Sequence, residues 1–345
     1  MNFEISQTQI ILSVIILIFN VICYLKLETI SKYIQLYDFP DGIRKLHKIK
    51  TPLVGGVLIF LSILCYMIFF SYLNTNQFEF FYLFSNKSTL LFFSSLTLIF
   101  ILGFLDDKYS ISPDKKLLCL FFIIYLYVLS DSTVSIENIT FSFTDQTIKI
   151  NKSSPIFTTL FVVTFIICSN MFDGINGQSS LFFIFTIFVL LTFNQAILSY
   201  LLFLLMLILI FFYFNLKGKV FLGDNGIFVI SFIIAIFYLK TYNIYGAFKF
   251  DQMILISLLP LIDMIRVSIL RIFNGTNPMS PDRNHIHHLF KNKFRLIFII
   301  FLTILPTSLY FIISNFFISF VITIILYILI VLNCTKNQKK ISYLK

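Results

Sequence analysis

The groups able to do chemistry in this 345-residue chain gather in five short polar stretches separated by long apolar runs. The second stretch places Asp106 and Asp107 side by side after Gly103-Phe104-Leu105, with Lys116 nine residues beyond the pair. Adjacent carboxylates at the end of an apolar helix are costly unless they hold a cation or a proton, and a returning lysine suits a phosphate. A hydrated helix end is the alternative. The third stretch runs Asn170-Met171-Phe172-Asp173-Gly174-Ile175-Asn176-Gly177-Gln178. Asn170 and Asp173 share a helix face, and the glycines let backbone approach a ligand closely; a span-ending turn would read the same way. The fourth, Phe221-Leu222-Gly223-Asp224-Asn225-Gly226, offers one carboxylate at a helix start, as a cap or a metal ligand.

The fifth stretch is the most specific. Asp282-Arg283-Asn284-His285-Ile286-His287-His288 puts three histidines within four residues directly after an Asp-Arg pair, which packing does not explain. Upstream, Asp263 and Arg266 stand at i,i+3 and are expected to pair. The first stretch clusters Arg44, Lys45 and His47 ahead of Gly55-Gly56. These residues bind phosphate through side chains and free backbone N–H groups, or they anchor the chain by positive charge while the glycines pack.

The elements that must position these groups follow from composition. Apolar residues make up 58% of the chain, 46 residues are Phe, and only 12% are charged, against roughly 45–50% apolar and about 25% charged in a soluble protein. A soluble fold of this size would have to hide more apolar surface than one core holds, whereas a bilayer accepts it on every span. The chain is therefore expected to be an all-α polytopic membrane protein of one domain, 1–345. Eleven spans are predicted, at about 8–27, 53–73, 89–105, 117–130, 155–172, 180–194, 196–214, 227–239, 250–272, 296–313 and 315–334. Adding Lys and Arg over alternate connections gives 21 on one side and 5 on the other, which places the N-terminus outside and both the C-terminus and the five stretches in the cytoplasm. The net charge of +10 follows from this topology and needs no nucleic-acid partner. The first span has no positive leader or cleavage site and is expected to be retained. The outer connection 131–154 is predicted to form a small hairpin turning at Thr144-Asp145-Gln146. The five cysteines form no CxxC pair and read as buried hydrophobes.

Taken in order, the five stretches resemble the polyprenyl-phosphate N-acetylhexosamine-1-phosphate transferase superfamily, of glycosyltransferase family 4 type, from about 38 to 288. The Pro-Asp-Arg-x-His-Ile-His-His run is similar to the branch of undecaprenyl-phosphate GlcNAc-1-phosphate transferases. The resemblance implies transfer of an amino-sugar 1-phosphate from a UDP-sugar to undecaprenyl phosphate with release of UMP, using Mg²⁺ or Mn²⁺, in a bacterial cytoplasmic membrane. A second copy of the chain stands among the expected partners. By motif match, Asn170 and Asp224 would be metal ligands, Asp106 and Asp107 the acidic pair near the lipid phosphate, and Lys116 a phosphate contact. Asp173 and Asn176 would lie in the uridine or sugar pocket. Arg44, Lys45, His47, Asp282, Arg283, His285, His287 and His288 would bind the substrates, the arginine and histidines of the fifth stretch around the diphosphate.

Three departures from the family pattern matter. The usual Asp-Gly-x-Asp-Gly-Leu is Asp173-Gly174-Ile175-Asn176-Gly177-Gln178 here, the Pro-Thr-Pro-Arg run is Lys50-Thr51-Pro52-Leu53, and Gly-Asp-Ser-Gly is Gly223-Asp224-Asn225-Gly226. The first makes a 6-deoxy-amino sugar a competitor of GlcNAc. A transporter or flippase for an anionic solute is the other reading. It requires ionisable residues near mid-span, where Asp263 is the deepest candidate.

Overall fold

A computed structural model describes residues 7–40, 49–73, 86–193, 198–278, 280, 282–290 and 294–343. Its helices are α1 (Gln7–Leu25), α2 (Leu27–Ile34), α3 (Gly55–Leu73), α4 (Asn86–Tyr109), α5 (Pro113–Ser130), α6 (Ser154–Phe172) and α7 (Gln178–Phe193). They continue with α8 (Leu198–Leu216), α9 (Gly223–Tyr245), α10 (Phe250–Ile256), α11 (Leu258–Phe273), α12 (Ile286–Leu289), α13 (Arg295–Ile313) and α14 (Phe316–Tyr343). Each predicted span coincides with a helix or a bent pair of helices. By length and apolar composition, six helices among the described residues are able to cross a membrane, or up to eight if each bent pair is one span. Helix α5 falls short because its 18 residues open on Asp114, Lys115 and Lys116.

The predicted single span 250–272 is broken. Helices α10 and α11 meet at 72°. Pro260 has no N–H to return to the carbonyl of Ile256, so the ladder that would carry α10 into α11 is missing a rung at the bend. Helices α1 and α2 meet at 79°.

Helix α9 is the centre of the bundle. Every residue from Asn225 to Tyr242 is buried, which an apolar helix reaches only when neighbours surround it. It packs on α4, α6, α3 and α7. Helices α13 and α14 lie at the rim, with Phe301, Phe311, Ile312, Phe317 and Leu329 exposed as a lipid-facing surface would be.

Glycine governs how closely the helices approach at the end that bears the chemistry. A Cβ on Gly56 would lie 2.2 Å from Gly226 Cα, and one on Gly103 would lie 2.5 Å from Asn225 Cα. Helices α3 and α4 are thereby drawn onto the first turn of α9. The Gly55 and Gly56 N–H groups donate to the carbonyls of Phe221 and Leu222, at 3.1 and 3.0 Å. Of the two readings left open for this glycine pair, packing is the one observed; the free N–H groups that phosphate binding needs are already used.

At the opposite end, β1 (Asn138–Phe141) pairs antiparallel with β2 (Thr144–Lys149). The hairpin exists, but it turns at Ser142-Phe143, and Thr144-Asp145-Gln146 lie in the second strand. The Tyr242 hydroxyl donates to the Asn138 carbonyl at 2.6 Å and accepts from Thr140 N–H at 2.9 Å. Asp251 accepts the Ser142 N–H at 2.9 Å. These ties from the ends of α9 and α10 select the observed turn. Lys240, one of the five cations that the charge count assigns to the outer connections, is instead buried in α9. It donates to Asp131 at 2.9 Å and Thr133 at 2.7 Å. The cysteines also depart from expectation: Cys168 is buried, but Cys65 and Cys119 lie on exposed helix surfaces.

Candidate active site

The site is built where α4, α5, α6 and α9 end or begin. Asp106 and Asp107 are on the last turns of α4, and Asp224 is on the first turn of α9. Both oxygens of Asp107 are occupied by that turn. One accepts the Asp224 N–H at 2.8 Å, the other the Asn225 N–H at 3.0 Å and the Asn225 side-chain amide. Asp107 thus caps α9 from a neighbouring helix, satisfying two of its orphan donors. Gly223, at φ +74°, supplies the left-handed step that lets the carboxylate in; a Cβ there would lie 2.5 Å from Asp107 Oδ2.

Asp106 points the other way. Its Oδ1 accepts the Ile111 N–H at 2.8 Å and its Oδ2 accepts Lys116 Nζ at 2.7 Å. The same ammonium donates to Asp224 Oδ2, also at 2.7 Å, so Lys116 bridges the two carboxylates. Asn170, near the end of α6, sets its side-chain amide 3.3 Å from Asp224 Oδ2. Burial alone would depress the Lys116 ammonium, but Asp224 and Asp106 outweigh it and hold the pKa above its ordinary value.

Among the described residues, no three His, Cys, Asp or Glu side chains converge as a ready-made metal cage. Magnesium does not need one, because it keeps waters and takes substrate phosphate oxygens beside one or two protein carboxylates. The donor set fits such an ion. Asp106 and Asp224 bring two carboxylates against the one ammonium of Lys116, with the Asn170 side-chain amide beside them, and such protein oxygens are hard donors.

The third stretch enters from α6. The Asp173 N–H donates to the Asn170 carbonyl at 3.2 Å as the helix stops. Burial raises Asp173 to about 6, although a hydrogen bond from Ser179 works against the rise. Asn176 is exposed beside the turn at Gly218. The loop is fastened by Asn215, whose Oδ1 accepts the Gly177 N–H at 2.6 Å while its Nδ2 donates to the Val220 carbonyl at 2.8 Å. Asn215 therefore ties the third stretch to the fourth.

The fifth stretch lies against the third. A Cβ on Gly174 would fall 1.8 Å from His287 Nε2, so the buried His287 ring sits flat on that glycine. His287 Nδ1 is buried with no hydrogen-bond partner among the described residues. Burial, reinforced by the charges of its neighbours, keeps His287 well below the ordinary imidazole value. His288 is half-buried and lowered to about 4, first by burial and then by His285 and Arg283. Arg271 donates to Asp282 at 2.8 Å, which outweighs burial and lowers the Asp282 carboxyl. Arg283 is exposed. Asn277 Nδ2 lies 3.4 Å from Asp114 Oδ1, linking this stretch to the second. Arg44, Lys45 and His47 lie outside the described residues.

The structure thus brings Asp106, Asp107, Lys116, Asn170 and Asp224 into one cluster, and it docks His287 on the loop of Asp173 and Asn176. Sequence reading passed over Asn225, Asn215 and Arg271. Asn225 carried a signal, since it replaces the family's serine beside Asp224. Asn215 and Arg271 each look like one polar residue at the end of an apolar run.

Glycosyl transferase family 4 matches residues 89–242, the segment holding this whole cluster. Relatives extend the likeness. An undecaprenyl-phosphate alpha-N-acetylglucosaminyl 1-phosphate transferase of Pasteurella multocida is 29% identical, over 76% of this chain and 73% of its own. One of the same description from Thermotoga maritima is 27% identical over 77% of each chain. A probable undecaprenyl-phosphate N-acetylglucosaminyl 1-phosphate transferase of Bacillus subtilis is 26% identical, over 76% of this chain and 71% of its own. The ordered motifs, the clustered site and these relatives agree: residues 89–242 match glycosyl transferase family 4, and the chain is similar over about three quarters of its length to undecaprenyl-phosphate N-acetylglucosaminyl 1-phosphate transferases.

Proposed function

We propose that this protein transfers an N-acetylamino-sugar 1-phosphate from a UDP-sugar to undecaprenyl phosphate, starting a lipid-linked glycan at the cytoplasmic face of a bacterial inner membrane. The supporting observation is the convergence of Asp106, Lys116, Asn170 and Asp224 from three separate connections. In the reaction an oxygen of the lipid phosphate attacks the sugar-bearing phosphorus of the UDP-sugar. One anhydride bond forms, the anhydride bond to UMP breaks, and the electron pair leaves on UMP.

Both substrates are anionic, so the site must lower their mutual repulsion. Lys116 is the fixed cation for this, held by Asp106 and Asp224 at the mouth of the bundle. Asp224 and Asn170 would hold Mg²⁺, which supplies further charge neutralisation across the diphosphate. The lipid phosphate has a second pKa of about 6 and is mostly ionised at neutral pH. Asp106 therefore has no strong proton abstraction to perform and positions Lys116 and the lipid head. Asp107 fixes the turn on which Asp224 stands. Asp173 and Asn176 face the nucleotide or sugar, and Arg283 and His288 approach the diphosphate. Eleven spans with the N-terminus outside put the loops and the lipid head at one membrane surface.

A transporter needs its ionisable mid-span residue facing a pathway. Asp263 instead spends its carboxylate on protein donors, which disfavours that reading. Purified protein given undecaprenyl phosphate, Mg²⁺ and a panel of UDP-amino sugars, among them UDP-GlcNAc and a 6-deoxy analogue, is expected to release UMP with at least one. No release with any of them sinks the proposal.

A further inference from the structure

The three histidines of the fifth stretch are not equivalent. Asp263, buried in α11, accepts from His285 Nδ1 at 2.8 Å, Tyr327 OH at 2.7 Å, Arg266 Nη2 at 2.9 Å and the Ile286 N–H at 3.1 Å. The far edge of the His285 ring meets a second cation, with Nε2 lying 3.2 Å from Arg271 Nη2. A guanidinium only donates, so Nε2 must present its lone pair. The ring proton then sits on Nδ1 and is given to Asp263. Both nitrogens of His285 are therefore engaged by protein groups, and it keeps neither a lone pair nor an N–H for a phosphate or a metal ion.

Tyr327 completes the frame. Its hydroxyl donates to Asp263 and accepts from Arg266 Nε at 2.6 Å. It comes from α14, beyond the matched segment 89–242. The rings of His285 and His287 lie parallel at 5.6 Å, and His288 follows at 4.3 Å from His287. The backbone bond from His288 N–H to the His285 carbonyl, at 2.9 Å, closes the turn. Where His288 stands is thus set by where Asp263 and Tyr327 hold His285.

We propose that Asp263, Tyr327 and His285 are positioning residues that set the fifth stretch against the site, with His285 serving as a strut between two charged groups and not as a substrate ligand. The inference rests on the transferase reading and assigns roles within that site. A positional defect on this side should weaken the UDP-sugar and leave the lipid phosphate, which meets Asp106 and Lys116, alone.

The test compares His285→Ala, His285→Asn, Tyr327→Phe and the double variant Tyr327→Phe/His285→Ala in full-length protein, using undecaprenyl phosphate and whichever UDP-amino sugar the wild type turns over. His285→Ala is expected to raise KM for the UDP-sugar by roughly tenfold or more, with KM for the lipid within about twofold. His285→Asn, whose amide N–H replaces the donation to Asp263, should return to within about threefold of wild type. Tyr327→Phe should raise the same KM several-fold, and the double variant should be no worse than His285→Ala, because both changes break one unit. Hydrogen exchange gives a readout independent of turnover: the Ile286 amide should exchange faster in Tyr327→Phe and in His285→Ala. The proposal is overturned if His285→Asn is as impaired as His285→Ala, if the two defects multiply, or if Ile286 exchange is unchanged. If the wild type releases no UMP at all, the transferase reading falls. Ile286 exchange then decides the positioning claim alone, unchanged exchange overturning it.

Discussion

The carboxylate of Asp107 holds the backbone N–H of Asp224 at 2.8 Å, so one acidic residue of the site is the cap of the helix that carries another. Asp106, its sequence neighbour, serves Lys116 instead. Adjacent in sequence, the two carboxylates face different partners and should fail in different ways. Asp107→Asn places an amide NH₂ among N–H donors and leaves at least one of them unpaired, a loss of about 1–3 kcal/mol. We expect a lowered melting temperature together with a fall in turnover of at least roughly 10²-fold. Asp106→Asn should lower turnover by a similar factor with a smaller change in melting. Neither loss should depend on pH, because a positioning role is lost at every pH, whereas loss of a general base would hurt most below the second pKa of the lipid phosphate, about 6. Turnover measured from acid to alkaline pH checks this, and recovery of either variant above about pH 8 would mean that proton abstraction was its task.

Asp224 is shared by Lys116 and Asn170 on one oxygen, and the fourth stretch has no other carboxylate. Asp224→Asn should abolish turnover at low Mg²⁺ and should not be rescued by raising Mg²⁺ to saturate the wild type. A variant with a wild-type Mg²⁺ dependence would leave Asp224 as a helix-start residue only.

From the 21 to 5 division of Lys and Arg, we predict that β1 lies outside and the end of α14 inside. Single cysteines at Asn138 and Lys340, introduced into a variant lacking the native five, should react with a membrane-impermeant maleimide from opposite sides. Labelling of both from one side would refute the topology.

Much of this arrangement was readable before any coordinates, for a physical reason. Asp106, Asp107, Asp224 and the histidine run are polar groups in a chain that is 58% apolar, so they stand out, and apolar runs mark helices by length alone. What stayed hidden depends on contacts between distant segments. The cap that Asp107 gives to α9 spans 117 positions, and nothing near either residue announces it. The Gly55-Gly56 pair looked equally suited to phosphate or to packing until Phe221 and Leu222 were found on its N–H groups. The hairpin was legible as alternation. Its turn was displaced because Tyr242 and Asp251, over a hundred residues away, fix the register.

Gly174 and His287 make a sharp steric test. A methyl group on Gly174 would collide with the imidazole, 1.8 Å from Nε2, and the ring is buried with little room to withdraw. Gly174→Ala should therefore destabilise the protein by about 1–3 kcal/mol and undock the fifth stretch from the third. Adding His287→Ala should return much of the melting temperature, because it empties the space the methyl needs. If Gly174→Ala melts like wild type, or if the second change makes matters worse, the two loops are not docked through this contact.

The same histidines predict how stability responds to acid. His288 is lowered to about 4 and His287 is also held well below the ordinary imidazole value, both chiefly through burial, while an unfolded histidine titrates near 6.5. Between those values the unfolded chain binds more protons than the folded one, so stability rises with pH and is lost as pH falls from about 6.5 toward 4. Asp173, raised to about 6 by burial, acts in the opposite sense. Its folded form holds a proton that the unfolded carboxyl, near 3.9, has released, so its contribution is favourable at low pH and disappears as pH rises through 6. The two effects overlap, and only variants separate them. Melting temperatures of detergent-solubilised protein from pH 4 to 8 should show a shallower acid loss in His288→Gln than in wild type. Asp173→Asn should show a steeper one, since the opposing group is gone. Identical acid slopes in His288→Gln and wild type would mean that His288 is solvated and free to protonate in the fold, and the half-buried position against Arg283 and His285 would be wrong.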